Sequence, residues 1–226
     1  MAGGGYGTEF DPIDGDQLTA EEIRAAVEVA ENFGTYVMAH IYTPRGIRIA
    51  VNNGVKSIEH GNLLDEPTAK LMAEKGVWLS AQVLTYSNVP KTLGPVRLAK
   101  HKLVFEGLNT MFAAAKKYKL KIVFGTDFVF DPEAAAKQNT EFTLRTKWFT
   151  PAEILRQATS LSGELLQLSG ERSPYPGKIG VIQEGALADI LLINGNPLQD
   201  ISILTKPDEN LAMIMKDGKI YKNTIK

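Results

Sequence analysis

Three stretches decide the fold: Tyr36-Val37-Met38-Ala39-His40, Val55-Lys56-Ser57-Ile58-Glu59-His60-Gly61 and Lys121-Ile122-Val123-Phe124-Gly125-Thr126-Asp127. Each is a β-branched or apolar run short enough for a buried strand, and each delivers a His or an Asp at its C-terminal end. In parallel α/β architectures the C-terminal strand ends form the face where chemistry is done. Two imidazoles and a carboxylate converging there make the core of a divalent-metal site.

Working outward, helical segments separate these strands. Thr19 with Glu22 three positions later is a capping box, and Ile23, Ala26, Val27 and Ala30 follow at helical spacing until Gly34. Thr43-Pro44 opens a second helix with Ile47, Ala50 and Val51 on one face. Asp65-Glu66-Pro67 opens a third, ending at Gly76. Val77-Trp78-Leu79-Ser80-Ala81 reads as another strand, and a helix over roughly 97–119 leads to the strand before Asp127. Thr150-Pro151-Ala152-Glu153 opens an amphipathic helix running through Leu168. Alternation of this kind signals βαβ units on a parallel sheet. Beyond Gly170 the texture changes to short strands (177–180, 187–193, 212–215 and 219–221) divided by Gly, Pro and Asn turns. The expected organisation is therefore an α/β domain over 1–171 and a small antiparallel β unit over 172–226.

The chain has 226 residues, 44% of them hydrophobic, and a net charge of −1, which suits a packed core and gives no basic patch for nucleic acid or an anionic membrane. Cysteine is absent, so disulfides, thiolate metal sites and Cys nucleophiles are excluded together. That fits a reducing, cytoplasmic compartment, and the N-terminus has neither the basic nor the apolar region of a signal peptide. No apolar run is long enough to span a bilayer.

The ordered set Val37–His40, Gly54–Gly61, Phe124–Asp127, Thr150–Leu155, Gly185–Ile190 and Asn196-Pro197-Leu198 resembles the C-terminal portion of the amidohydrolase superfamily, in its imidazolonepropionase-like and prolidase-like branch. The resemblance implies a (β/α)8 TIM-type barrel of which this chain holds strands five to eight, followed by the β unit. It implies His40, His60 and Asp127 as metal ligands for zinc or another divalent ion, and Asp127 as the catalytic proton carrier. It also implies hydrolysis of C–N bonds in amides, cyclic amides or dipeptides. Tyr42, Gln82, Tyr86 and Glu141 are candidates to face substrate from the βα loops, although each reads more readily as a solvated loop residue. The superfamily's His-x-His pair is missing, and its strand-four lysine would precede Met1. The alternative reading is a catalytically silent, truncated or assembly-dependent domain. A half-barrel exposes two sheet edges and should pair with a copy of itself or with a missing N-terminal half. Among the remaining residues, His101 reads as a helix-surface residue and Gly3-Gly4-Gly5 as a floppy terminus. Glu59 reads as an ion-pair partner outside the barrel, and Lys116–Lys119 as a solvated helix end.

Overall fold

The computed structural model describes residues 1–87, 89, 93–128 and 132–225. They divide into two compact units, Met1–Gly125 with Leu168–Arg172, and Thr126–Gln167 with Ser173–Lys226.

The first unit carries a four-stranded parallel sheet in sequential order: β1 (Met38–Ile41), β2 (Ser57–His60), β3 (Trp78–Ala81) and β4 (Ile122–Phe124). Its register stacks Ala39 beside Ile58 and Ile58 beside Leu79, so the centre of the sheet is an apolar layer. Helices fill the connections: α1 (Ala20–Asn32) before β1, α2 (Pro44–Asn52), α3 (Glu66–Glu74), the short α4 (Leu84–Ser87) and the long α5 (Pro95–Lys117). The starts of α1, α2 and α3 are legible in the sequence, whereas α4 falls in a stretch read as a long connection. The Thr19–Glu22 capping box forms, Thr43 Oγ1 accepts from Gly46 N–H, and Asp65 Oδ1 accepts from Thr68 N–H. Ile47, Ala50 and Val51 of α2 and Met72 of α3 are buried, as are Val104, Leu108, Met111 and Phe112 of α5. These apolar faces hold the crossover helices to the sheet, because a helix of this length gains most of its stability from packing.

The second unit joins two parts. One is the helical run α6 (Pro132–Ala135), α7 (Thr140–Leu144), α8 (Pro151–Arg156) and α9 (Ser162–Leu166). The other is an antiparallel sheet of β5 (Ile190–Ile193), β6 (Leu211–Lys216) and β7 (Lys219–Asn223), with α10 (Pro207–Asn210) leading into β6. The β6–β7 hairpin turns on Asp217-Gly218, whose φ values of 48° and 73° are both left-handed. That is the mirror-image turn whose twist matches two strands. Asp189 Oδ1 accepts from Asp217 N–H at 2.7 Å and ties β5 to the same turn. The stretch 177–180, expected as a strand, makes an isolated bridge from Lys178 to Ala186.

One expected element is broken. The helix opening at Thr150 with its capping box does not run on unchanged through Leu168; a wider, π-type turn covers Gln157–Leu161. Here hydroxyls compete for helix carbonyls, with Thr159 Oγ1 donating to Leu155 O and Ser162 Oγ to Gln157 O, both at 2.7 Å. Arg145 adds a further constraint by donating to Gln157 Oε1 at 2.6 Å. This Arg is fully buried and also donates to Glu141 Oε1 at 2.6 Å. Glu141 therefore does not face substrate from a loop. It is the counter-charge of a buried cation, which could not stay in the core unpaired.

Candidate active site

The site is built at the C-terminal ends of β1 and β2. His40 is the third residue of β1 and His60 the last of β2, and the parallel register sets His40 opposite Glu59 and Ile41 opposite His60. The two imidazoles meet edge to face, with centroids 4.6 Å apart. His60 has φ 73°, an unfavourable backbone for a non-glycine residue, and Gly61 follows at φ 65°. Two left-handed residues in succession end the strand and re-aim the chain, and strain of this kind concentrates at functional positions. Asp127 at φ 57° shares the feature. Asp127 follows β4 and lies in the second unit; as a whole it is an exposed residue, and partial burial of its carboxyl raises the pKa.

Three further sequence candidates join the two imidazoles. Tyr42, Gln82 and Tyr86 are all buried. Gln82 Oε1 and Tyr86 Oη each lie 2.8 Å from His60 Nδ1, and Tyr42 Oη lies 3.1 Å from Tyr86 Oη. Gln82 Nε2 donates to Ser80 O at 3.1 Å, which fixes the amide so that its oxygen faces His60. An oxygen there requires Nδ1 of His60 to carry the proton, so Nε2 keeps its lone pair. His40 is set the opposite way. Its Nε2 lies 3.2 Å from Gly4 O, an acceptor only, so Nε2 is protonated and Nδ1 holds the lone pair. Burial holds both imidazoles below their ordinary pKa, and proximity to His40 helps push His60 to about 3. Both are neutral near pH 7, each with one N–H held by a protein acceptor and one nitrogen left to bind. That is the state a metal-ligating histidine requires. Among the described residues, no three His, Asp or Glu side chains gather as a metal-holding group.

The glycine run beside His40 corrects one expectation. Residues 2–5 are buried rather than floppy. Ala2 and Gly3 N–H both donate to His40 O, at 3.2 and 3.1 Å, and Gly4 N–H donates to Gly15 O at 2.9 Å. A Cβ on Gly4 would sit 1.7 Å from Pro12 O, so only glycine brings the Gly4 carbonyl to the imidazole. His101 corrects another. It is 2% exposed, with its ring edge-on to Tyr6 at 5.5 Å and stacked near Phe105 at 6.5 Å. Tyr6 in turn lies 5.7 Å from the Tyr86 ring. Sequence reasoning missed Tyr6, and its position just after the glycine run was the available signal. Glu59 accepts from Ser57 Oγ at 2.7 Å. Lys117 pairs with Glu66 across an exposed surface, as suits a solvated helix end.

The neutral histidines make stability fall in acid. Unfolding returns each imidazole to a pKa near 6.5, so below that pH the unfolded chain binds protons that the folded chain refuses. Their contribution should be whole above pH 6.5 and lost progressively as pH falls toward about 3. At about 1.4 kcal/mol per pKa unit the loss is on the order of a few kcal/mol. Denaturant melts in chelator across this range should show the decline in the wild-type chain and a flatter profile in His60→Gln. Equal slopes would contradict the assignment.

A sequence model of the Amidohydrolase family matches residues 1–221. Ochratoxinase from Aspergillus niger is 29% identical over 98% of this chain and 45% of its own length. A crystal structure of a prolidase complexed with N-methylphosphonate-L-proline is 36% identical, with a TM-score of 0.88 over 99% of this chain and 54% of that one. The A. niger ochratoxinase structure superposes at a TM-score of 0.85 with 28% identity, over 99% of this chain and 50% of that one. The chain spans about half the length of the curated relatives it matches. Among the described residues no helix is long and apolar enough to cross a membrane. With a matching family model that spans nearly its whole length, the chain belongs to the amidohydrolase family.

Proposed function

We propose that this chain supplies part of the active site of a metal-dependent hydrolase of amide-type C–N bonds, with cyclic amides or dipeptides as substrates. The observation that carries the reading is the pair of buried neutral imidazoles, His40 with Nδ1 and His60 with Nε2 left to bind. That donor set fits zinc, with Asp127 as the third ligand. The bound ion would polarise the scissile carbonyl and lower the pKa of water. Gln82 and the Gly4 carbonyl fix the two ring orientations. Tyr42 and Tyr86 present hydroxyls that can orient the substrate amide. Asp127 takes the proton of the attacking water as the new C–O bond forms, and passes it to nitrogen as the C–N bond breaks. Its raised pKa suits a group that must both accept and release that proton. The prolidase and ochratoxinase relatives support a small amide substrate.

In the same reading β1–β4 are the last four strands of a (β/α)8 barrel, residues 1–171 form its partial domain, and 172–226 the appended β unit. The sequential parallel order and the likeness to chains about twice as long support this. A second reading, a catalytically silent domain, is favoured by the lack of a gathered three-donor group among the described residues. Bound-metal analysis separates the two. About one equivalent of zinc, lost in His60→Ala and weakened in His40→Ala, is expected from the first reading. No zinc near neutral pH would leave the second.

The partial barrel also carries a consequence for assembly. With β1 and β4 as sheet edges, the chain should pair with a second copy or an N-terminal half. Sedimentation at micromolar concentration should therefore give a species heavier than 24.7 kDa; a stable lone monomer would contradict the pairing.

A further inference from the structure

The turn after β2 carries an unfavourable backbone. His60 and Gly61 stand at φ 73° and 65° in succession, and a histidine holds such a conformation only where its surroundings fix it. The chain before His60 is fixed by the sheet, and the ring is fixed by Gln82. The chain after it is laid along the end of β1, with Gly61 N–H donating to Ile41 O at 3.0 Å and Leu63 N–H to Tyr42 O at 3.1 Å. Between those two residues Asn62 is fully buried and reaches the other way, its Nδ2 donating to Val104 O of α5 at 2.9 Å. The helix is shaped to receive it, because a Cβ on Gly107 would sit 2.2 Å from Asn62 O. The backbone of the turn therefore lies directly on α5, and the amide ties it there. Asn62 Oδ1 is buried without a hydrogen-bond partner among the described residues. An amide left half satisfied is less favourable than an apolar side chain of the same size, so packing alone would favour Leu at this position. What the amide adds is the bond to Val104.

We infer that Asn62 is a positioning residue: by tying the turn after β2 to α5 it holds His60 in its left-handed backbone, and so holds the imidazole against Gln82. Its consequence for zinc rests on the metal-hydrolase reading above, whereas its consequence for the ring does not. Without the tie, residue 60 relaxes toward negative φ, which swings its Cβ and carries Nδ1 away from Gln82 Oε1. The ring then exchanges between tautomers, and Nε2 no longer presents a fixed lone pair. Asn62 touches neither imidazole in this account; it acts through the backbone of its neighbour.

Two variants break the tie by opposite means. Asn62→Leu removes the bond at similar volume, and Gly107→Ala presses a methyl on the Asn62 carbonyl while leaving the amide in place. In the metal-free protein, the nitrogen-15 shifts of His60 Nδ1 and Nε2 should converge in both variants as the tautomers mix, and its Cα carbon-13 shift should leave the left-handed range. Zinc affinity, measured by calorimetry, should fall about ten- to a hundredfold in each. Ile23→Ala, a truncation in the buried face of α1, controls for general loss of stability. It should lower the thermal midpoint and leave the His60 shifts as they are in the wild type. Unmoved His60 shifts in Asn62→Leu and Gly107→Ala, or convergence in Ile23→Ala as well, or zinc held by the two variants as tightly as by the wild type, overturns the inference. If one of the two variants does not fold, the other decides on the same shifts. If the wild-type chain binds no zinc, the metal-hydrolase reading fails, and the ring shifts still decide Asn62.

Discussion

The structure of this site depends on one buried hydrogen bond, from His60 Nδ1–H to Gln82 Oε1. The Gln82 amide is fixed by Ser80, the imidazole is fixed by the amide, and the free Nε2 follows from both. Around that bond the polar groups satisfy one another inside an otherwise apolar layer, with Tyr86 and Tyr42 extending the chain. The low pKa of His60 follows from burying an imidazole there beside His40, which outweighs the opposing effect of the Gln82 hydrogen bond. Loss of Gln82 Oε1 would free the ring to take either tautomer, and the direction of its lone pair would no longer be specified.

The N-terminal glycines play the corresponding part for His40. A backbone carbonyl replaces a side chain as acceptor, and it can reach the ring because Gly4 has no Cβ to meet Pro12 O. The two histidines are thus set by different means, one by a side-chain amide on the neighbouring strand and one by a loop packed on β1. The opposite tautomers this produces give the pair two inequivalent binding nitrogens, a geometry that a random pair of strand-end histidines would not supply.

Much of this was legible in the residues. Strand ends at His40 and His60 could be read from short β-branched runs, and helix starts from Thr19, Thr43, Asp65 and Thr150, because capping chemistry is local. What escaped was set by tertiary contact. His101 sits on a helix whose polar and apolar residues alternate too irregularly to show which face is covered, so its burial against Tyr6 was invisible. Glu141 looked like a loop residue because its partner, Arg145, gives a helical i,i+4 spacing that is normally solvent-exposed. The widened turn at Gln157–Leu161 follows from hydroxyl competition and from Arg145, neither of which disturbs the apolar periodicity. The glycine run read as flexible since nothing in it announces the carbonyl contacts that bury it.

The central claim is that His40 and His60 are neutral, oppositely protonated and ready to bind metal. Nitrogen-15 NMR of the histidine rings in the metal-free protein at pH 7 measures this directly. The account expects His60 protonated at Nδ1 and His40 at Nε2, with zinc then shifting His60 Nε2 and His40 Nδ1. Imidazolium signals, or the same tautomer at both rings, or zinc shifts at the nitrogens held by Gln82 and Gly4, would contradict it.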